Sequence, residues 1–331
     1  MRAYVPYRSS LPKNFDGILV AGLATSSHRD ALPIIRMQPD LQNQGYALGT
    51  ATAMMVSDGI SETRKLDVRK LQKHLITIGN LEPAVASHDD NYDRPRNRLP
   101  ATVEHLPENF EESVSLVMWY PEDAKPLIRD AYLKEIDFQR KLVYAKTAAA
   151  LGDPIGAVTL LEELQKHDKW DNGWDFKAMG QAGSATSPVD KLIMMIGWTK
   201  DPRAVGPIVE KMKLLDAKSA FSHHRAVILA LENIGGPEAA AALAEHLAKP
   251  DISGHIHDSI EKAKFFDEQA GLRNWNQEKA RRDSLIEISL ARALYRCGDV
   301  AGKGEATLRE YLKDMRGYFA RHANEILREK Q

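Results

Sequence analysis

The chain has 331 residues, with 45 Lys and Arg against 46 Asp and Glu, a formal net charge of −1 and one cysteine, Cys297. This balance excludes the basic surplus with which dedicated nucleic-acid-binding proteins neutralise phosphates. A single cysteine excludes an internal disulfide framework and a zinc site made of several cysteines. Hydrophobic residues make up 43% of the chain, as in ordinary globular proteins, and the length predicts about two domains.

Two kinds of targeting segment are missing from the sequence as it stands. No run of about 18 apolar residues predicts a membrane span. The first residues, from Met1 to Tyr7, lack the apolar core of a signal peptide. Localisation stays undecided, because an export signal could lie on a portion of the protein outside this chain.

Residues 1–80 mix short β-type runs with glycines. Residues 17–22 form an apolar run bounded by glycines, which predicts a strand buried on both faces, as in a parallel α/β sheet. Residues 45–56 predict a helix in which Gly45, Gly49 and Ala53 share one face. Close packing of this helix on a neighbour is one interpretation of the small-residue face; a ligand-facing surface is the other.

The order of these pieces resembles the end of an FAD-dependent oxidoreductase domain. The resemblance is carried by residues 5–12, the strand at 16–22, Arg36 with residues 37–39, and the glycine helix that follows Gln44. In that family a strand of the form Leu-Val-Ala-Gly precedes a loop with Ser and His. An Arg and a helix of the form Gly-x-Ala-x-Gly-x-Ala-x-Ala then follow.

The resemblance implies FAD as cofactor and hydride transfer from an organic substrate to the flavin. It implies that Gln44, Gly45 and Tyr46 lie at a helix N-terminus against the flavin ring, whose reduction the helix dipole favours. It also implies that the backbone at Gly22 lies beside the ribityl and pyrophosphate portion of FAD.

The same resemblance suggests two catalytic candidates. His28 could relay a substrate proton, although a surface loop histidine is the alternative. Arg36 could bind an anionic substrate or phosphate, or pair with a nearby Asp.

Two features depart from the family pattern. Leu23 stands where many flavoproteins carry a charged residue. The sequence also lacks the strand, Gly-x-Gly-x-x-Gly loop and helix of a dinucleotide-binding unit. We therefore expect the chain to be the C-terminal part of such an enzyme, with the missing half supplied by an upstream segment or a partner chain.

Residues 81–126 predict a linker. The polar, proline-punctuated stretch at 88–98 has no periodicity. Residues 113–120 could form a strand or a buried turn of helix.

Residues 127–331 predict a mainly α-helical domain built from four helix–turn–helix units. Their turns contain Gly, Asp and Pro and lie at residues 152–154, 200–202, 235–237 and 297–299. These units resemble the HEAT-like repeats first associated with phycobilisome lyases, which implies an α-solenoid. A solenoid supplies surface rather than chemistry, so a non-catalytic scaffold that binds a protein partner is the alternative function.

Several residues of the second half are weaker candidates. His255 and His257 have the spacing of metal ligands, but surface histidines are the favoured interpretation. His223 and His224 point to different faces of a helix. Trp170, Trp174 and Phe176 could form a ligand platform, or pin a long loop onto the helices.

Overall fold

The computed structural model describes residues 4–28, 31–87, 95–175, 187–270 and 278–329. The chain divides into two compact units, residues 1–94 (unit 1) and residues 95–331 (unit 2). The described residues are mainly helical and include no strand, so the mainly α class is confirmed. Among them, no helix is long and apolar enough to cross a membrane.

Unit 1 is a small helical unit. It contains α1 (Leu32–Ile35), α2 (Gln38–Ser57), α3 (Val68–Thr77) and several short 3₁₀ turns. Its core is a small group of buried apolar side chains from α2, α3 and the segment between them: Ala51, Met55, Leu66, Leu71 and Leu75. Asp67 begins α3 by accepting a hydrogen bond from the backbone N–H of Lys70 (3.0 Å).

The predicted strand at residues 17–22 is wrong. The segment is irregular and largely exposed, with 48% of Ile18 accessible to solvent. Its hydrogen bonds to other segments include those from the Val20 N–H to the Ser10 carbonyl (2.8 Å) and from the Gly22 N–H to the Gln44 side chain (2.8 Å). An apolar run becomes a buried strand only between other strands, and the described residues provide none.

Unit 2 starts with three helices in the region expected to be a linker. They are α4 (Leu99–Glu104), α5 (Phe110–Trp119) and α6 (Pro121–Lys134). Pro100 and Pro121 lie in the first turns of α4 and α6, where a missing N–H costs nothing. These prolines therefore mark helix starts, and α5 settles residues 113–120 as helix. Leu106, Val117 and Ile128 join the main core of unit 2.

Four helix pairs follow at the predicted positions. The pairs are α7 (Phe138–Ala150) with α8 (Ala157–Gln165), α9 (Pro188–Thr199) with α10 (Val205–Lys213), α11 (Phe221–Ile234) with α12 (Pro237–Leu247), and α14 (Glu278–Cys297) with α15 (Lys303–Tyr311). Helix α13 (Ile260–Ala270) precedes α14, and α16 (Gly317–Arg328) ends the unit. Helices α7, α9, α11 and α14 form a row in which each contacts the next.

Close helix contacts in this row depend on glycine. A Cβ added to Gly197 of α9 would lie 2.5 Å from the Ala230 Cα of α11. A Cβ on Gly156 would lie equally close to the Ala145 Cα. The backbones therefore approach as closely as the absence of a side chain allows.

A buried lysine, Lys211, and a half-buried one, Lys249, connect successive pairs. Lys249, just after α12, donates from Nζ to the carbonyls of Lys213 (3.1 Å) and Leu215 (2.7 Å) at the end of α10. Lys211 of α10 donates in the same way to the His167 carbonyl beyond the end of α8. Each ammonium satisfies carbonyls that the preceding helix leaves without intrahelical partners. Burial lowers the pKa of both lysines.

Candidate functional site

The candidate flavin-contacting residues of unit 1 lie around the side chain of Gln44. Its Oε1 accepts a hydrogen bond from the Gly22 N–H (2.8 Å), and its Nε2 donates to Thr25 Oγ1 (2.7 Å). Thr25 is buried. The structure therefore joins Gly22 and Gln44, which are distant in sequence, through one side chain.

Gly22 holds a backbone conformation that favours glycine. Its φ of +77° lies in the left-handed region, and it begins a 3₁₀ turn, Gly22–Ala24. A Cβ added to Gly22 would meet nothing within 4 Å. Conformation, rather than crowding, explains the glycine here.

The glycine helix begins earlier than the resemblance implies. Helix α2 starts at Gln38, with Pro39 in its first turn and Asp40 as an acidic first-turn residue. These are helix-starting residues. Gln44, Gly45 and Tyr46 lie inside the helix, so the expectation that they form its N-terminus is wrong.

The small-residue face of α2 is open. Gly45 and Gly49 are exposed, and a Cβ at either position would meet nothing within 4 Å. Close packing of this face within the described part of unit 1 is therefore excluded. Tyr46 is also exposed on this helix.

The two catalytic candidates are both at the surface. His28 is exposed, and its carbonyl accepts from the N–H groups of Ala31 and Leu32. Arg36 is exposed at the end of α1. No described residue forms an ion pair with Arg36, so its predicted pairing with an Asp is not seen in the described ranges.

Unit 2 contains a buried polar cluster that the sequence did not predict. His223 and His224 are both buried on α11. His223 Nδ1 lies 2.7 Å from Asp190 Oδ1 of α9, and His224 Nδ1 lies 3.2 Å from His246 Nε2 of α12. Burial lowers the pKa of His224 to about 4 and that of His246 to about 3. Neighbouring histidines point to different faces of a helix, but here both faces are covered.

Two aromatic residues between α8 and α9, Trp170 and Trp174, act as anchors. Trp170 stacks on His223 with ring centroids 4.2 Å apart, and its Nε1 donates to the Lys211 carbonyl (3.3 Å). Trp174 packs on Phe221. These contacts agree with the interpretation that the aromatic residues pin the loop; Phe176 lies outside the described residues.

His255 and His257 each contact other groups in the structure. His257 is buried against Phe266, with ring centroids 4.8 Å apart, and its backbone N–H donates to Asp314 Oδ2 (3.1 Å). His255 donates from Nε2 to the Asp251 carbonyl (3.0 Å). The described residues contain no group of three potential metal ligands. The expectation that both histidines lie at the surface is wrong for His257.

The comparison with known families adds one finding for unit 1. Residues 3–75 match the model of the family described as FAD dependent oxidoreductase. No curated protein and no solved structure matches the chain. The N-terminal end of the chain is thus similar to FAD-dependent oxidoreductases. The match contains Gly22, Gln44, Gly45 and Tyr46 and includes none of unit 2.

Proposed function

We propose that residues 3–75 are the flavin-contacting C-terminal segment of an FAD-dependent oxidoreductase. The reaction is hydride transfer from an organic substrate to the flavin. The observation that carries this proposal is the bond between the Gly22 N–H and the Gln44 side chain, inside the segment similar to that family. It joins the two sequence pieces that the resemblance assigns to the cofactor.

The residues of unit 1 fit part of a flavin site. The open faces of Gly45 and Gly49 leave space for a planar group, and Tyr46 is exposed beside them. The backbone N–H groups of residues 44–46 lie within α2 rather than at its free end, so they are poor donors to a ligand. Further donors, above all for the pyrophosphate, must come from a dinucleotide-binding portion outside this chain.

Two exposed side chains would act on the substrate. His28 would hold or release the proton that accompanies hydride transfer. Arg36 has a guanidinium without an ion pair in the described ranges, so it would bind an anionic group of the substrate. Bound FAD would accept the hydride.

Co-expression tests this proposal. The first step is a search for a Gly-x-Gly-x-x-Gly unit in the coding region upstream of Met1 and in the adjacent reading frames. The unit is then expressed together with this chain. We expect stoichiometric flavin absorbance in the purified complex. The absence of such a unit, or a colourless complex, would contradict the proposal.

A pair of glutamine variants identifies the site. Gln44→Ala removes the side chain that bonds the Gly22 N–H, and we expect at least a tenfold loss of flavin affinity. Gln72→Ala changes a glutamine of α3 that accepts a hydrogen bond from Arg69 (3.0 Å). We expect this variant to keep the wild-type affinity for flavin. Equal affinity of the two variants would remove Gln44 from the site.

The helix pairs of unit 2 favour a second candidate function, a scaffold that binds a protein partner. Stacked pairs supply an extended surface without chemistry of their own. FAD added to the purified chain discriminates between the two functions. The scaffold is favoured if the chain stays colourless and FAD does not change its stability, both by itself and in complex with the co-expressed unit.

A further inference from the structure

A segment of unit 2 lies across the row of helices and is held by contacts to several of them. We call residues 167–175 the strap. Trp174 exchanges two hydrogen bonds with Ser222 of α11, from its N–H to Ser222 Oγ and from the Ser222 N–H to its carbonyl, both 3.0 Å. Asp175 Oδ1 accepts from the Phe221 N–H (3.0 Å). The strap therefore follows the start of α11.

His223 lies under the strap and contacts it at two places. Its Nε2 is 3.1 Å from the Asp171 carbonyl oxygen, and Trp170 stacks on its ring. A Cβ added to Gly173 would lie 2.7 Å from the ring. The strap backbone therefore packs directly on the imidazole.

Both ring nitrogens of His223 face hydrogen-bond acceptors. Nδ1 faces the Asp190 carboxylate, and Nε2 faces the Asp171 carbonyl. A neutral imidazole has one N–H and can donate to only one of them. The arrangement is satisfied only by the imidazolium, which donates to both.

The groups around His223 support its positive charge. Burial lowers the pKa of His223, but the hydrogen bond and charge of Asp190, with the Asp171 contacts, raise it overall. Asp190 Oδ2 is buried, and none of the described residues gives it a hydrogen bond, so His223 is the main compensation for that carboxylate. His224 is next in the chain, and its lowered pKa keeps it neutral above pH 6.

Two cations reach the strap from other helices. Lys211 of α10 donates to the His167 carbonyl, and Arg282 of α14 pairs with Asp175 (3.1 Å). Arginine stays charged in proteins. A neutral lysine amine still has N–H groups to donate, so loss of its proton does not break its bond. A neutral imidazole must give up one of its two bonds.

We propose that His223 is a protonation-dependent latch for the strap. The protonated ring holds the Asp171 carbonyl and Trp170. Loss of the proton releases this part of the strap from His223 and loosens the remaining bonds of Trp174 and Asp175 to α11. The folded pKa is above the ordinary value of about 6.5, so this stabilisation is complete below that value. It is lost as the pH rises through the folded pKa.

Hydrogen exchange of the full chain tests the latch. Exchange of strap peptides is followed from pH 6 to 9 and corrected for the intrinsic rate at each pH. We expect the protection of the Trp174 amide to fall at least fivefold over this range, while peptides from α12 keep theirs. In His223→Gln, strap protection should not depend on pH. Protection that is constant in the wild type, or that falls equally in His223→Gln, would overturn the proposal.

Two further variants separate His223 from its neighbours. Lys211→Met should lower strap protection at every pH but keep the wild-type pH dependence. Loss of that dependence would transfer the latch to Lys211.

The fluorescence of Trp170 gives a second readout, obtained by subtracting the emission of the Trp170→Phe variant from that of the wild type. A protonated imidazole quenches the indole stacked on it. We expect this fluorescence to rise between pH 6 and 9. A flat difference would overturn the latch even if His223→Gln does not fold.

Discussion

The two units of this chain are both helical, but they bury their helices to very different extents. Helices α9 and α11 of unit 2 contact neighbours on several sides, and Ile193, Ile196 and Leu231 are completely inaccessible. Helix α2 of unit 1 leaves its small-residue face open and buries three residues. Burial of apolar surface is the main source of stability, so unit 2 should be stable by itself. Unit 1 leaves the small-residue face of α2 exposed and should be less stable.

Intrinsic probes allow the units to be followed separately. All five tryptophans belong to unit 2, at positions 119, 170, 174, 198 and 275. Tryptophan fluorescence therefore reports unfolding of unit 2, and hydrogen exchange of α2 and α3 peptides reports unit 1.

The largest expected difference is in acid. His224 and His246 are buried and neutral, with pKa values lowered to about 4 and about 3. Unfolding returns both to an ordinary pKa of about 6.5, so their contribution is complete above that pH and is lost as the pH falls. We expect the free energy of unfolding of unit 2 to fall by about 5 kcal/mol between pH 7 and pH 4, measured by urea titration of tryptophan fluorescence.

A pair of histidine variants assigns this acid sensitivity. His246→Gln keeps a donor for His224 but cannot take up a proton, so it should lose less stability in acid than the wild type. His74→Gln, in the exposed part of α3, should follow the wild type. An unchanged acid titration in His246→Gln would contradict the assignment.

Glycine-to-alanine changes should have opposite effects in the two units. Gly197→Ala places a Cβ 2.5 Å from the Ala230 Cα, and overpacking of this kind costs about 3 kcal/mol. Gly49→Ala meets nothing within 4 Å and gains about 1 kcal/mol of helix propensity. The readouts are the tryptophan transition for Gly197→Ala and protection of α2 amides for Gly49→Ala. A stable Gly197→Ala protein would show that the α9–α11 contact is looser than described.

Removal of a lysine should also distinguish the units. Lys249→Met leaves the carbonyls at the end of α10 without their donor, and we expect a loss of about 2 kcal/mol in the tryptophan transition. Lys73→Met removes an exposed lysine of α3 and should change stability by less than about 0.5 kcal/mol. Equal effects would mean that the bonds of Lys249 to the carbonyls of Lys213 and Leu215 stabilise the protein no more than a solvated amine does.

A smaller loss of stability than at Lys249 is expected at Gln44. Gln44→Ala removes the bonds to the Gly22 N–H and to Thr25, which should cost unit 1 about 1 kcal/mol. Amides of residues 20–28 should exchange faster, while the tryptophan transition of unit 2 stays unchanged. A shift of that transition would show that the two units do not unfold independently.

The sequence predicted the helix pairs well because their turns use residues with local geometric roles. Asp201, for example, accepts from the Arg203 N–H (2.9 Å) at its turn, and Gly235 has a positive φ. Such signals do not depend on distant parts of the chain. The HEAT-like resemblance of these pairs stays a prediction.

Two of the failures involve partners that a local pattern does not contain. An apolar run at 17–22 predicts a strand, but no described strand exists to pair with it. In the sequence His223 and His224 are weak candidates for metal ligands. In the structure they are buried because α9 and α12 pack against them. At the candidate flavin site the sequence identified Gly22 and Gln44, but it misplaced the start of α2, whose Pro39 and Asp40 were available as helix-start signals.

Lys211 and Lys249 give unit 2 a direction. The end of α8 is completed by Lys211 from the next pair, and the end of α10 by Lys249 from the pair after that. When a later pair opens, the preceding helix loses the lysine donor at its C-terminal carbonyls, whereas among the described residues no lysine of an earlier pair donates to the end of a later helix. Fraying should therefore spread more readily from the C-terminal pairs towards the N-terminal ones than in the reverse direction.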